Sequence, residues 1–173
     1  NKIRFRVSTE ITGQGIISGA CYAPVYGQVQ DFTLIVNEKV VISPKTYIPD
    51  DNFEAYLETH DASGNTVSVG DANSMGDGIA NNDYVTTANI SGVFSLDVES
   101  LSIADLTGIE DFTSLTNLWC NSNQLTTLDV SNNTLLTELE CQNNQLTSLD
   151  VSNNTALTVL SCQNNQLTSL DVN

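Results

Sequence analysis

The chain has 173 residues, enough for one or two small domains with cores of their own, and a net charge of −16. All five basic residues (Lys2, Arg4, Arg6, Lys39, Lys45) lie in 1–45, so 46–173 holds eighteen acids and neither Lys nor Arg. Such a surface repels phosphate backbones and anionic lipid, which argues against a nucleic-acid partner and suits a calcium-rich extracellular setting; no run reaches the length of a membrane-spanning helix.

Residues 1–37 read as strands. "KIRFRVST" alternates apolar and polar residues, "GQGIISGACYAPVYGQVQ" carries the glycines and proline of loops around a short strand, and "DFTLIV" reads as a closing strand. The stretch "YGQVQDFTLIV" resembles the end of the GEVED domain, a small β-rich module of secreted bacterial proteins. Gly27-Gln28-Val29-Gln30-Asp31-Phe32-Thr33 stands where that module has a Gly-Glu-Val-Glu-Asp-Tyr-Thr-like signature. The resemblance implies the C-terminal part of a β-sandwich-like module over 1–37, which holds Cys21. Residues 38–47 follow as a linker or bridging strand.

The stretch "IPDDNFEAYLETH" predicts a helix at about 50–59: Asp50 can cap it, acids fill its first turn, and Phe53, Tyr56 and Leu57 share one face. Its expected role is to cover the open end of the repeats that follow. Residues 61–92 are rich in Gly, Asn, Asp and Ser. "DANSMGDGIANND" fails calcium-loop spacing, because Met75 falls on a ligand position from either start, so a structured acidic loop is expected. "DYVTTANI" is expected to form a strand pairing into the first coil.

From Leu115 a strict 21-residue period begins, L-x-x-L-x-C-x-x-N-x-L-x-x-L-D-V-S-x-N-x-x. One unit cannot bury its leucines alone, whereas stacked units share a continuous core; this is the pattern of a leucine-rich repeat. Each unit divides into two halves of the form L-x-x-L-x-φ-x-x-N, with Cys or Val at φ. The fold expected is therefore mainly β: a solenoid with two short parallel strands per coil behind a small N-terminal cap helix. The pattern closely resembles the 21-residue leucine-rich repeats of Bacteroidetes-type surface proteins. That likeness reaches back to residue 48, making 48–114 the cap and irregular first coils, with degenerate coils at "SLDV" and "LSIADLTGIEDF", and 115–173 the regular repeats. The chain has no initiator Met and stops at Asn173, where the earlier copies continue as "SNNT", so it is expected to be a piece of a longer protein.

Three ladders recur at this period. Cys120, Cys141 and Cys162 fall on the core side of their strands, so neighbouring coils bring them to about 4.7–4.8 Å, a spacing that would need distortion for a disulfide. Val fills the same place in the other half-unit, which favours Cys as a small apolar filler; zinc would want paired ligands, and the single histidine, His60, lies elsewhere. Asn123, Asn144 and Asn165, with Asn133 and Asn154, fall at the turns, where amides can serve backbone groups left unpaired. Asp129, Asp150 and Asp171 lie between inward residues and point out; they read as a solvated acidic face or as a candidate calcium ladder, calcium being the one cofactor considered.

On the other strand the outward residues change while the core stays constant: Asn117, Trp119 and Asn121; Glu138, Glu140 and Gln142; Val159, Ser161 and Gln163. That contrast suits a recognition surface on a fixed scaffold, with Trp119, the sole tryptophan, as an exposed anchor or as a residue packed under the capping segment or the first module. One His, no assembled Ser/His/Asp set and no phosphate loop give little support to catalysis. The function expected is extracellular or cell-surface binding and adhesion to protein or glycan. The rival readings are a non-catalytic accessory region of a secreted peptidase or glycan hydrolase, and a structural spacer. The resemblance further implies export by the type IX route and anchoring at the outer membrane.

Overall fold

A computed structural model describes residues 43–172. The expectations for 1–37, Cys21 among them, and for most of 38–47 lie outside the described residues.

The described part opens with β1 (Lys45–Tyr47), at the end of the stretch expected as a linker or bridging strand. β1 pairs antiparallel with β2 (Tyr84–Thr86). Between them runs α1 (Asp51–Thr59). Asp50 caps it, Oδ1 accepting from the backbone N–H of Asn52 and Phe53 at 3.0 Å each. The second oxygen of Asp50 accepts from Ala104 N–H at 2.8 Å, tying the helix start to the first coil. Phe53 and Leu57 are wholly buried, each burial worth about 1.5–3 kcal/mol, and Phe53 stacks on Phe112 with ring centroids 6.2 Å apart. Gly108 is required where cap meets coil: its φ is +99°, and a Cβ there would stand 2.3 Å from Ile48 Cδ1.

Two glutamates of α1 are buried as well. Glu54 accepts from the N–H groups of Asn82 (3.0 Å) and Asp83 (3.1 Å), and Glu58 from those of Asp77 (2.6 Å) and Gly78 (3.0 Å). They stand in for the secondary structure that 76–83 lacks and pin that loop to the helix. The loop comes so close that a Cβ on Gly76 would lie 2.1 Å from the Glu58 carboxyl.

"DYVTTANI" departs from expectation. β2 stops at Thr86 and pairs with β1, not with the first coil, and Thr87–Ile90 turns into the short helix α2. Val85 and Ile90 are both fully buried. An odd spacing would put them on opposite faces of one strand, and the helical turn returns Ile90 to the core side.

The solenoid follows. β3 (Ser95–Asp97), β4 (Asn117–Trp119), β5 (Glu138–Glu140) and β7 (Val159–Ser161) form one parallel sheet in that order. On the second face β6 (Ser148–Asp150) pairs parallel with β8 (Ser169–Asp171). The matching residues 127–129 form no strand, so two strands per coil are seen in the last two coils only. Leu96, Leu118 and Leu139 point inward from successive strands, and Leu115, Leu125, Leu136, Leu146, Val130 and Val151 complete the core.

Asparagines bind coil to coil. Asn144 Nδ2 donates to the carbonyls of Cys120 (3.0 Å) and Cys141 (3.1 Å), while its Oδ1 accepts from Leu125 N–H at 3.0 Å. Asn123 and Asn165 repeat the arrangement, and Asn154 donates to Val130 and Asn133. A threonine ladder, not singled out from the sequence, adds hydroxyl bonds from Thr116, Thr137 and Thr158 to the carbonyls of Phe94, Thr116 and Thr137. At each strand exit one residue, Ser122, Asn143 or Asn164, takes a left-handed φ of 57–59°, a conformation Asn tolerates well.

Candidate recognition face

The register of the four-stranded sheet lays its outward residues in two rows. Ser95, Asn117, Glu138 and Val159 align across the strands, and Asp97, Trp119, Glu140 and Ser161 form the second row. Trp119 therefore stands between two carboxylates. Its Nε1 donates to Glu138 Oε1 at 3.3 Å, and Asn117 Nδ2 donates to the other oxygen at 2.8 Å, which fixes the Glu138 carboxylate on the face. Gln142 Nε2 donates to Glu140 Oε2 at 3.0 Å. Glu138, Glu140 and Ser161 are half-buried on strands and share the outward side of the sheet, whereas Gln142 (half-buried) and Gln163 (exposed) lie past the strand ends, in the turns.

One expectation needs correction. Asn121 is buried, not outward. β4 ends at Trp119, so period-2 alternation no longer governs residue 121; it lies inside the turn, its carbonyl accepting from Ser100 N–H at 3.1 Å and from Asn123 Nδ2. Of the two readings of Trp119, exposed anchor or packed residue, the structure gives an intermediate: it is half-buried, with the cap beside it, and shares with Tyr56, His60, Asp61 and Asp97 the wall of a cavity of about 480 Å³.

The other ladders resolve differently. Cys120, Cys141 and Cys162 are free thiols, the first two buried and the third half-buried. Burial pushes Cys120 well up and Cys141 to about 12, so neither offers a thiolate near neutrality for metal binding or nucleophilic attack. Asp129 and Asp150 are exposed and each accepts from the N–H two residues on, Ser131 and Ser152, at 2.9 Å. Those serines, through hydroxyl and then N–H, hold both carboxyls below the usual range. Asp129 and Asp150 line a cleft of about 620 Å³ with Asp105 and Glu110. Asp129, Asp150 and Asp171 do not converge as a trio. Among the described residues the three acids whose oxygens come within 4.8 Å of one another are Asp51, Glu54 and Asp83, and Glu54 there already serves backbone N–H groups.

Sequence reasoning missed the buried pair Glu54 and Glu58. The available signal was their i, i+4 spacing beside the apolar face, together with a Gly/Asn-rich loop that has no other partner for its N–H groups.

Comparison with known proteins agrees with this architecture. Residues 134–173 match the family described as Leucine Rich repeats (2 copies). Over 52 residues the chain is 50% identical to Internalin J of Listeria monocytogenes serotype 4b (strain F2365), a match covering 30% of this chain and 6% of that protein. A solved structure of the functional domain of InlJ from Listeria monocytogenes, described as including a cysteine ladder, superposes with a TM-score of 0.59 at 38% identity, covering 78% of this chain and 27% of that one. An internalin (InlF) structure from the same species gives a TM-score of 0.53 at 24% identity over 72% of this chain and 36% of that one, a likeness of fold alone. The chain thus spans a small part of the curated relative and between a quarter and just over a third of the solved chains. It carries leucine-rich repeats in an internalin-like solenoid.

Proposed function

We propose that this internalin-like solenoid is an extracellular or cell-surface binding and adhesion module that engages a protein partner through the outward face of its four-stranded sheet. Solenoids of this type commonly serve as protein-binding domains, because stacking yields an extended face whose residues change without disturbing the core. The observation that carries the reading is the sheet register: the inward Leu is constant from strand to strand, while Asn117/Trp119, Glu138/Glu140 and Val159/Ser161 differ. A half-buried Trp beside carboxylates fixed by hydrogen bonds is the kind of anchor on which recognition energy concentrates. The likeness to internalins supports a location outside the cell. The resemblance of the sequence to Bacteroidetes-type surface proteins with a GEVED-like module supports export by the type IX route and anchoring at the outer membrane.

The test is attachment of beads bearing the chain to cultured cells. Replacing Trp119, Glu138 and Glu140 together by Ala should remove attachment and leave the far-ultraviolet circular dichroism unchanged. Undiminished attachment by the folded triple variant would rule out this face and favour a spacer.

A further inference from the structure

Where the cap meets the sheet, the cavity of about 480 Å³ is walled by rings and carboxylates: Tyr56, His60 and Trp119, with Asp61, Asp97 and Glu99. Tyr56 and His60 stack face to face with centroids 4.0 Å apart and an interplanar angle of 11°, so each covers one face of the other and the pair acts as one rigid aromatic wall. The Trp119 side chain, flanked in register by Asp97 and Glu140, forms another. His60 Nδ1 lies 2.9 Å from the Tyr56 carbonyl, which can only accept, so this nitrogen carries a proton and the ring is held in place. Aromatic faces and carboxylates around one space attract the same kind of guest, a cation with a flat or apolar body.

Among the described residues no Lys or Arg side chain supplies that cation. Among the described residues Lys45 is the single Lys or Arg, and it is bonded to Asp77. The Tyr56 hydroxyl is held above its usual range by burial and then by the charges of Asp97 and Asp61, so these carboxylates are felt inside the cavity.

We infer that this cavity is the anchor pocket of the recognition face and that it takes the basic side chain, Arg above all, of an exposed segment of the partner protein. The inference rests on the proposed recognition face and adds the chemistry of what that face selects. A guanidinium plane can lie against Trp119 while its N–H fork reaches Asp97; both oxygens of Asp61 already accept from the 63–65 loop, so that carboxylate contributes its charge. Lys offers the charge without the plane. Phosphate, sulfate and acidic glycans are repelled by the same groups.

The test uses calorimetry with an N-acetylated, C-amidated peptide of alternating Gly and Arg, and the same peptide with citrulline in place of Arg. Emission of Trp119, the one tryptophan, gives a parallel readout. The Arg peptide should bind saturably and change that emission, and the citrulline peptide should not. Asp97→Asn should weaken binding on the order of tenfold, as loss of one partner of a close charge pair does. Trp119→Leu, which keeps apolar bulk and removes the ring, should weaken it too, with melting temperature confirming the fold. Asp150→Asn, on the opposite face, should leave affinity within about twofold, the size of a rim-charge effect.

Equal binding of the citrulline peptide, or equal losses from Asp97→Asn and Asp150→Asn, would overturn the assignment by reducing it to nonspecific adhesion or net charge. So would binding of a neutral oligosaccharide with none of the Arg peptide. If the Arg peptide fails while the alanine triple variant still loses attachment, the face stands and its cation selectivity does not. If the triple variant keeps attachment, the face itself falls.

Discussion

At the scale of single residues, the same side-chain type is given opposite tasks by its surroundings. Cysteine is the plainest case. Cys120 and Cys141 are buried, free and protonated, and Val fills their place in the other half-unit. Cys141→Val should therefore change stability by less than about 1.5 kcal/mol, and mass-resolved alkylation should leave Cys120 and Cys141 unmodified until the chain unfolds. Carboxylates split in two directions. Glu58 is pushed up from 4.5, by burial first and by the charges of Asp77 and Glu54, against the N–H bonds of Asp77 and Gly78. Its folded form prefers the proton, so its contribution is complete below 4.5 and is lost as pH rises through the raised value. Asp129 and Asp150 are held below 3.8, so their contribution is complete above 3.8 and is lost as pH falls through the lowered values. Melting temperature should peak near the boundary between these windows, and Glu58→Gln should flatten the decline above 4.5 while leaving the acid side unchanged. A decline of unchanged slope in that variant would assign it to general charge repulsion.

At the scale of elements, stability comes from side chains that replace backbone partners. Asn144 serves the carbonyls of Cys120 and Cys141 and the N–H of Leu125. Asn123 and Asn165 also donate to those two carbonyls, so Asn144→Ala strands the buried Leu125 N–H and takes one of two bonds from each carbonyl. The loss should be about 2 kcal/mol in urea denaturation, and Asn165→Ala, at a half-buried position, should cost less. Much of this was legible. The 21-residue period displays the leucine core, the Cys filler and the Asn ladder, because a repeated unit shows each inward position more than once. The helix was legible because Asp50, Phe53 and Leu57 follow rules that depend on neighbours within a turn. What escaped depends on contacts remote in sequence. Glu54 and Glu58 look solvated until the loop 76–83 is seen donating to them. Val85–Ile90 looks like a strand until both ends prove buried on the same side. Asn121 looks outward until the strand is seen to end two residues earlier. The outward rows of the sheet were readable as a surface, but which of the two readings of Trp119 applied was not, since that depends on where the cap walls the cavity beside it.

At the scale of the whole molecule, a sheet whose outward residues vary sits on a scaffold whose inward residues do not, and negative charge is left for a partner to meet. The central claim is that the sheet face around Trp119 is the one engaged, and the single tryptophan lets that be observed directly. The chain labelled with 5-fluorotryptophan should give one fluorine resonance. Added to cells in amounts that bring the chain down with them, it should show that resonance shifted or broadened, and an excess of unlabelled chain should restore it. A resonance that stays sharp and unmoved while the labelled chain demonstrably sediments with the cells would contradict the account.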